Sequence, residues 1–285
     1  ELQPQLPKAF RLMTTPEPQK LNRVAPPPRV SVVMAVYNGA RFLGDAVDSV
    51  LNQSWTDFEF VIANDGSTDD TSRILASYSD PRIVLVDNHS NLGLTRSLNR
   101  CIATSRGQLI ARQDADDVSL PERLSCQVAY LDSNPEVGLV GCGSRWVDEK
   151  HRFIRDWQPT SDPDEIQALL LWAVPFLHGT FVFRRACLRD LEGGYNEAIP
   201  VAQDCDLLLR LSERWELSNV KDILYVYRQH GDTVTSRRRV DQERCLQFAR
   251  DAAVQRRLTM GMARLRLARD SAPGWTRRAD RRWLA

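Results

Sequence analysis

An α/β protein with a mostly parallel central sheet and helices on both of its faces is the fold class this sequence predicts. Three observations predict it. Short apolar, β-branched runs alternate with segments of helical periodicity, the pattern of βαβ units. Acidic residues collect where those runs end. The 285 residues, 42% hydrophobic and 26% charged, suffice for one large α/β domain with appendages or for two smaller ones, with a substantial core.

Residues 30–37 (Val-Ser-Val-Val-Met-Ala-Val-Tyr) read as a strand covered on both faces, because apolar residues run on without alternation. Phe42, Leu43, Ala46, Val47, Val50 and Leu51 then recur at helical spacing, and residues 58–63 form a second buried strand ending at Asn64-Asp65-Gly66. Ser67-Thr-Asp-Asp70 has the form of a capping box and opens a helix through Ile74, Leu75 and Tyr78, which Asp80-Pro81 stops. A strand at 82–86, a helix near 94–104 and a strand at 108–112 follow. After the acidic cluster Asp114-Ala-Asp-Asp117, Ser119-Leu-Pro-Glu122 is expected to cap a helix with Leu124, Val128 and Leu131 on one face.

The second half is less regular. Strands are expected at 137–141, 152–155 and 180–184, and a pair of strands at 215–228. Helices are expected from Asp162-Pro163, by the preference for proline at the first helical position, and over 204–213. The organisation expected is a proline-rich leader over 1–29, a domain over 30–236, and a basic helical extension over 237–285. Within the domain two halves are expected, 30–118 and 119–236. The net charge of +1 hides an asymmetry: 14 arginines and five acids in 237–285 give +9, leaving −8 for the rest.

Six scattered cysteines with no C-x-x-C pair indicate neither a zinc site nor a disulfide framework, and fit a reducing cytoplasm. No run is long enough to span a bilayer and the N-terminus lacks a signal-peptide core, so a soluble, cytoplasmic protein is expected.

Chemistry concentrates at strand ends, where an open α/β sheet forms its ligand crevice. Three carboxylates within four residues, Asp114, Asp116 and Asp117, repel unless a cation neutralises them. A hard divalent ion, Mn²⁺ or Mg²⁺, suits such oxygen ligands, with substrate phosphates completing its shell. A solvated turn before a helix cap is the plainer alternative. An EF-hand is excluded by Val118 and Ser119 at the fifth and sixth positions. The pattern D-x-D-x-[TV] of haloacid-dehalogenase-like phosphatases also matches residues 114–118. That fold needs a later lysine followed by an acidic pair, and neither Lys150 nor Lys221 has such partners.

Six pieces in order then carry a resemblance: Val-Val-Met-Ala-Val-Tyr-Asn38, Ser49-Val-Leu-Asn-Gln53, Asn64-Asp-Gly-Ser-Thr-Asp69, Asn91-Leu-Gly93, Arg112-Gln-Asp-Ala-Asp-Asp117 with Pro121-Glu-Arg-Leu124, and Gln203-Asp-Cys-Asp-Leu207 with Arg210. Over residues 30–236 the chain resembles a bacterial family-2 glycosyltransferase of the GT-A fold. The resemblance implies an inverting transferase that moves a sugar from a nucleoside diphosphate, UDP foremost, to an acceptor hydroxyl in cell-surface polysaccharide or glycolipid synthesis.

It also implies roles. Asp65 would accept from the nucleotide base, beside the Ala35, Val36, Tyr37 and Asn38 backbone. Gln113, Asp114 and Ala115 would lie along the nucleotide, with Asp114 on the ribose side. Asp116, with Asp114 and His230, would hold the metal, and Asp117 would support its shell. Asp204 would be the general base, against the alternative that it only caps its helix. His178 would face the acceptor, a glycan or lipid-linked glycan, or else serve as a buried structural histidine. Departures from the family pattern are Ala35 for a proline, Asn64 for an acid, Ser97-Leu98-Asn99 for Ala-Arg-Asn, and Gln203 for a glutamate. The last removes a like charge and should make Asp204 less basic. The basic extension, with Trp275 and Trp283, could lie on an anionic membrane or dock on the acidic body, and no motif supports nucleic-acid binding. A non-catalytic nucleotide-sugar-binding module is the non-enzyme alternative.

Overall fold

A computed structural model describes residues 26–191, 193–231 and 239–259. Most of the expected leader, and Trp275 and Trp283, lie outside the described residues. Strand β1 (Val30–Val36) pairs in parallel with β2 (Phe58–Asn64) on one side and β4 (Leu109–Arg112) on the other, and β2 pairs in parallel with β3 (Ile83–Asp87). Helices α1 (Leu43–Leu51), α2 (Thr71–Ala76) and α3 (Leu94–Thr104) make the crossovers. The order β3-β2-β1-β4 reverses direction between β1 and β4. In open α/β sheets the loops that follow two such strands diverge, and the ligand crevice lies at their carboxyl ends.

The unbroken apolar run of β1 has its cause in two cores. Val32, Met34 and Val36 face one of them, with Val47 of α1 and Leu124 and Val128 of α4 (Arg123–Ser133). Val33 faces the other, with Leu98 of α3 and Leu207 and Leu208 of α6 (Gln203–Leu211). Alternate side chains of one strand thus enter opposite layers, and both are buried.

Beyond β4 the sheet becomes mixed. Strand β8 (Val182–Arg184) runs antiparallel to β4 and to β6 (Val137–Asp148). Strand β9 (Glu216–Gln229) runs parallel to β6, β5 (Val118–Ser119) pairs antiparallel with β9, and β7 (Phe153–Trp157) pairs antiparallel with β6. The pair of strands expected over 215–228 is one continuous strand. The segment holds no glycine or proline, and register shifts against β6 absorb the irregularity instead of a turn.

Two expected caps are built differently. Asp70 precedes α2 and Glu122 precedes α4 without side-chain capping bonds of their own; Ser67 accepts from the Asn38 N–H and Ser119 donates to Gln113, while Asp69 accepts both from the Thr71 N–H that opens α2 and from the Ala40 N–H. The proline-led start of α5 (Pro163–Leu169) does form: Asp162 accepts from the N–H groups of Asp164 and Glu165. The extension is helical where described, as α7 (Arg239–Thr259), and it docks on α6. Ala249 and Ala253 are buried, Arg257 donates to Ser212 Oγ at 2.8 Å, and Arg256 pairs with Glu213 at 2.8 Å. All six cysteines are free thiols, and no helix among the described residues is long and apolar enough to cross a membrane.

Candidate active site at the carboxyl ends of the strands

Three loops are laced together above β1, β2 and β3. Asn38 adopts a left-handed φ of 52°, which its short polar side chain tolerates, and its Oδ1 accepts from the Thr68 N–H at 2.7 Å. Its own N–H donates to Ser67 Oγ, while those of Gly39 and Ala40 donate to Thr71 Oγ1 and Asp69 Oδ2. Asp65 binds the third loop. Its buried carboxylate accepts from Asn88 Nδ2 at 2.7 Å and from the N–H groups of Leu92 and Gly93 at 2.8 and 2.9 Å. Gly66, at φ 70°, leaves no room for a side chain, since a Cβ would lie 2.6 Å from the Ser90 carbonyl carbon. Val36 is buried, Ala35 half-buried, and Tyr37 and Asn38 exposed, so this loop leaves one aromatic ring open to solvent.

The acidic turn after β4 forms the opposite wall. Arg112 is fully buried and its Nη2 donates to Asp114 Oδ1 at 2.6 Å. Burial pushes the Asp114 carboxyl above its ordinary range; Arg112 pulls against that and Asp116 adds to it. Asp116 Oδ2 lies 2.9 Å from His230 Nε2, so two residues expected to share a metal are in contact across 114 positions of chain. Asp117 is buried, with Oδ1 accepting from the Arg228 N–H at 2.8 Å. Burial, with Asp116 and Asp114 adding, raises its carboxyl well above the usual value. Gln113 does not face the crevice. It is fully buried, and its amide donates to the Asp114 and Asp117 carbonyls while accepting from Ser119 and Arg123. Ala115 lies half-buried beside the Gly39 loop.

A third wall comes from the second half. Asp204 sits in the first turn of α6, but the helix N-cap is Ala202, held at a left-handed φ of 58°, and no side chain caps it. The N-cap position itself is thus Ala202, although the Asp204 carboxyl takes up backbone N–H groups of the first turn. Burial raises its carboxyl, its backbone hydrogen bonds oppose that, and Asp114 and Arg112 are near enough to act on it in opposite senses. The lower basicity expected from Gln203 is outweighed by this burial. His178 Nε2 lies 2.8 Å from Tyr195 Oη, and burial, then Arg112, keeps the imidazole neutral to well below its ordinary value. Gly179 presses on Asp114: a Cβ there would come within 2.7 Å of Asp114 Oδ2.

The residues fit a divalent ion. Among the described residues no three acidic, histidine or cysteine groups could hold one unaided. Asp116 and His230 supply an oxygen and a nitrogen already converged, with Asp114 two residues away. An ion that draws its remaining ligands from phosphate and water needs no more from the protein.

Comparison with known proteins assigns the class. A sequence model described as Glycosyl transferase family 2 matches residues 31–191. The chain belongs to that family. EpsE of Bacillus subtilis is 37% identical over 218 residues, covering 74% of this chain and 76% of EpsE. The Escherichia coli O-antigen biosynthesis glycosyltransferase WbnJ is 31% identical over 217 residues, covering 71% and 80%. Among solved structures, Staphylococcus aureus TarS 1–349 with UDP-GlcNAc superposes with a TM-score of 0.62 at 20% identity, over 73% of this chain and 60% of that one. The mannosyltransferase PcManGT of Pyrobaculum calidifontis with GDP-Man and Mn²⁺ gives 0.55 at 23% identity, over 73% and 60%. The chain thus spans about 60% of the length of these solved structures. The expected GT-A fold is borne out.

Several site residues escaped the sequence reading. Arg112 precedes the acidic turn, and its position alone could have marked it as a counter-ion. Arg228, two residues before His230, alternates onto the same side of its strand. There it pairs with Asp45 at 2.9 Å and stacks 4.2 Å from the Phe42 ring centroid. Tyr195 and Tyr225 carried no local signal.

Proposed function

We propose that the protein is a metal-dependent, inverting glycosyltransferase that uses a UDP-linked sugar to build a bacterial cell-surface polysaccharide or glycolipid. The observation that carries this reading is that Asp204 lies near enough to Asp114 for the two carboxyls to act on one another, while Asp116, two residues on, contacts His230. UDP-GlcNAc is the ligand of the TarS complex, and O-antigen biosynthesis is the setting named for WbnJ.

In this reading the exposed 37–38 loop packs beside the base. Asp65 retains one acceptor position on Oδ2, since three of its four are occupied, and offers it to the base. Asp114 lies by the ribose, Asp116 and His230 hold the ion, Asp117 supports them from beneath, and Gln113 and Ala115 shape the turn. When bound, the ion supplies Lewis-acid stabilisation to the leaving diphosphate. Asp204 accepts the proton of the acceptor hydroxyl as that oxygen attacks the anomeric carbon and the bond to the diphosphate oxygen breaks. Attack from the face opposite the leaving group inverts the anomeric centre. The neutral His178–Tyr195 pair orients the acceptor. The phosphatase alternative lapses with the family assignment, and Lys150 and Lys221 are both exposed.

Docking of α7 accounts for part of the basic extension. Residues 260–285 add seven arginines against Asp270 and Asp280, with two tryptophans, and we assign to them contact with an anionic membrane surface. Sedimentation with anionic vesicles tests this, since truncation at 259 should abolish it. The central test is transfer from a panel of nucleotide sugars with Mn²⁺. UDP-sugar turnover supports the reading, whereas binding without turnover leaves the non-catalytic module.

A further inference from the structure

Pro121-Glu-Arg-Leu124 belongs to the motifs that define the family resemblance, yet none of its residues enters the chemistry above. Arg123 opens α4 and is 1% exposed. Its guanidinium forms no ion pair among the described residues. Each of its four hydrogen bonds goes to a neutral acceptor. Nη2 donates to the Arg112 carbonyl at 2.6 Å, where β4 ends. Nη1 donates to Gln113 Oε1 at 3.1 Å and to Ser119 Oγ at 2.8 Å, gripping both flanks of the acidic turn. Nε donates to Gln127 Oε1 at 3.1 Å, and the Gln127 amide in turn donates to the carbonyls of Val140 and Thr180. The guanidinium carbon also lies 5.1 Å from the ring centroid of Tyr225, whose hydroxyl accepts from the Asp114 N–H at 3.2 Å.

Burying a lone cation costs several kcal/mol unless its surroundings compensate. Here four neutral acceptors, one aromatic face and the nearby carboxylates of the turn do so together. A turn carrying three carboxylates opens by self-repulsion unless something spans it. Arg123 spans it, because only a planar fork with five donors reaches the strand end, both flanks and α4 at once.

We propose that Arg123 is a positioning residue that holds the 113–119 turn, and with it Asp116, in the geometry that receives the metal and diphosphate. The inference rests on the functional reading above for its ligand, but on this chain's geometry for the brace. A merely structural arginine would change stability and leave the affinity of the folded protein alone.

The experiment compares Arg123→Lys and Ser119→Ala with the full-length wild type. Calorimetry of UDP with Mn²⁺ and amide hydrogen exchange in metal-free protein are the readouts. Lysine keeps the charge but not the fork, so UDP–Mn²⁺ affinity should fall about 10–100-fold, as for lost supporting contacts at metal sites, with acceptor KM unchanged. Exchange of the 113–119 amides should accelerate without metal, while the β1 and β2 amides stay protected. Ser119→Ala removes one contact of the brace and should show the same pattern at about three- to tenfold. A folded Arg123→Lys protein with wild-type affinity and exchange would overturn the proposal. If Arg123→Lys does not fold, unchanged affinity and exchange in Ser119→Ala overturn it instead. A wild type without Mn²⁺-dependent UDP binding would remove the functional reading, and the exchange data would still decide whether the arginine braces the turn.

Discussion

The walls proposed to receive the donor and the acceptor are built from different physics. On the first, carboxylates meet basic side chains: Arg112 with Asp114, His230 with Asp116, Arg228 with Asp45. On the acceptor wall the contacts are neutral, with His178 against Tyr195 and Asp204 at a helix start that no side chain caps. Charged pairs suit a wall that receives an ion and a diphosphate, because a fixed array of opposite charges needs no reorganisation when they arrive. A drier wall with few counter-ions suits a base, because burial lifts a carboxyl toward working pH.

If this division is right, the largest effect should come from the acceptor wall. Asp204→Asn should reduce single-turnover transfer by about 10²–10⁴-fold, the usual contribution of a general base, with UDP–Mn²⁺ affinity unchanged. Near-normal transfer in the mutant would make the two walls chemically alike. Next in size, Asp116→Ala should weaken Mn²⁺-dependent UDP binding by at least about tenfold and leave the fold intact, which calorimetry and thermal unfolding together check. Equal affinity in mutant and wild type would detach the metal from the donor wall.

The pH profile sharpens the comparison. Asp204 must be ionised to act, and burial holds its proton to higher pH than the ordinary carboxylate value of about 3.9, so transfer should rise with pH through a limb above that value. The folded state also binds more protons than the unfolded state between the ordinary and the raised value, so this group's contribution to stability falls as pH rises through that window. Asp204→Asn should remove both dependences, and a stability profile unaltered by the substitution would place the carboxyl in water. The smallest effect expected is for Tyr195→Phe. It deletes one neutral hydrogen bond of about 1 kcal/mol and should raise acceptor KM about three- to tenfold without touching donor affinity. A change in donor affinity instead would move Tyr195 to the other wall.

Legibility differed along the same divide. The strands at 30–36, 58–64 and 109–112 and the helices between them follow from hydrophobic period, and each ends within a residue or two of the expected place. The acidic turn was visible because its carboxylates are adjacent in sequence. The long β9, the left-handed Ala202 and the Tyr195 hydroxyl had no such local signature. Ser67 and Ser119 show the converse error. Both have the local form of helix caps, yet the Ser67 hydroxyl accepts from the Asn38 N–H and the Ser119 hydroxyl joins Gln113 and Arg123.

What the sequence determined by itself was the order of strands and helices, the family, and the residues able to carry chemistry, because period and motif are local properties. Only the tertiary structure decided which charges those residues meet. Asp116 reaches His230 across 114 positions and Asp117 reaches the Arg228 N–H across 111, and both contacts depend on β9 running back beside the turn. Burial does the same for Asp204: the largest influence on its basicity is desolvation, which depends on everything packed around it and outweighs the local backbone hydrogen bonds.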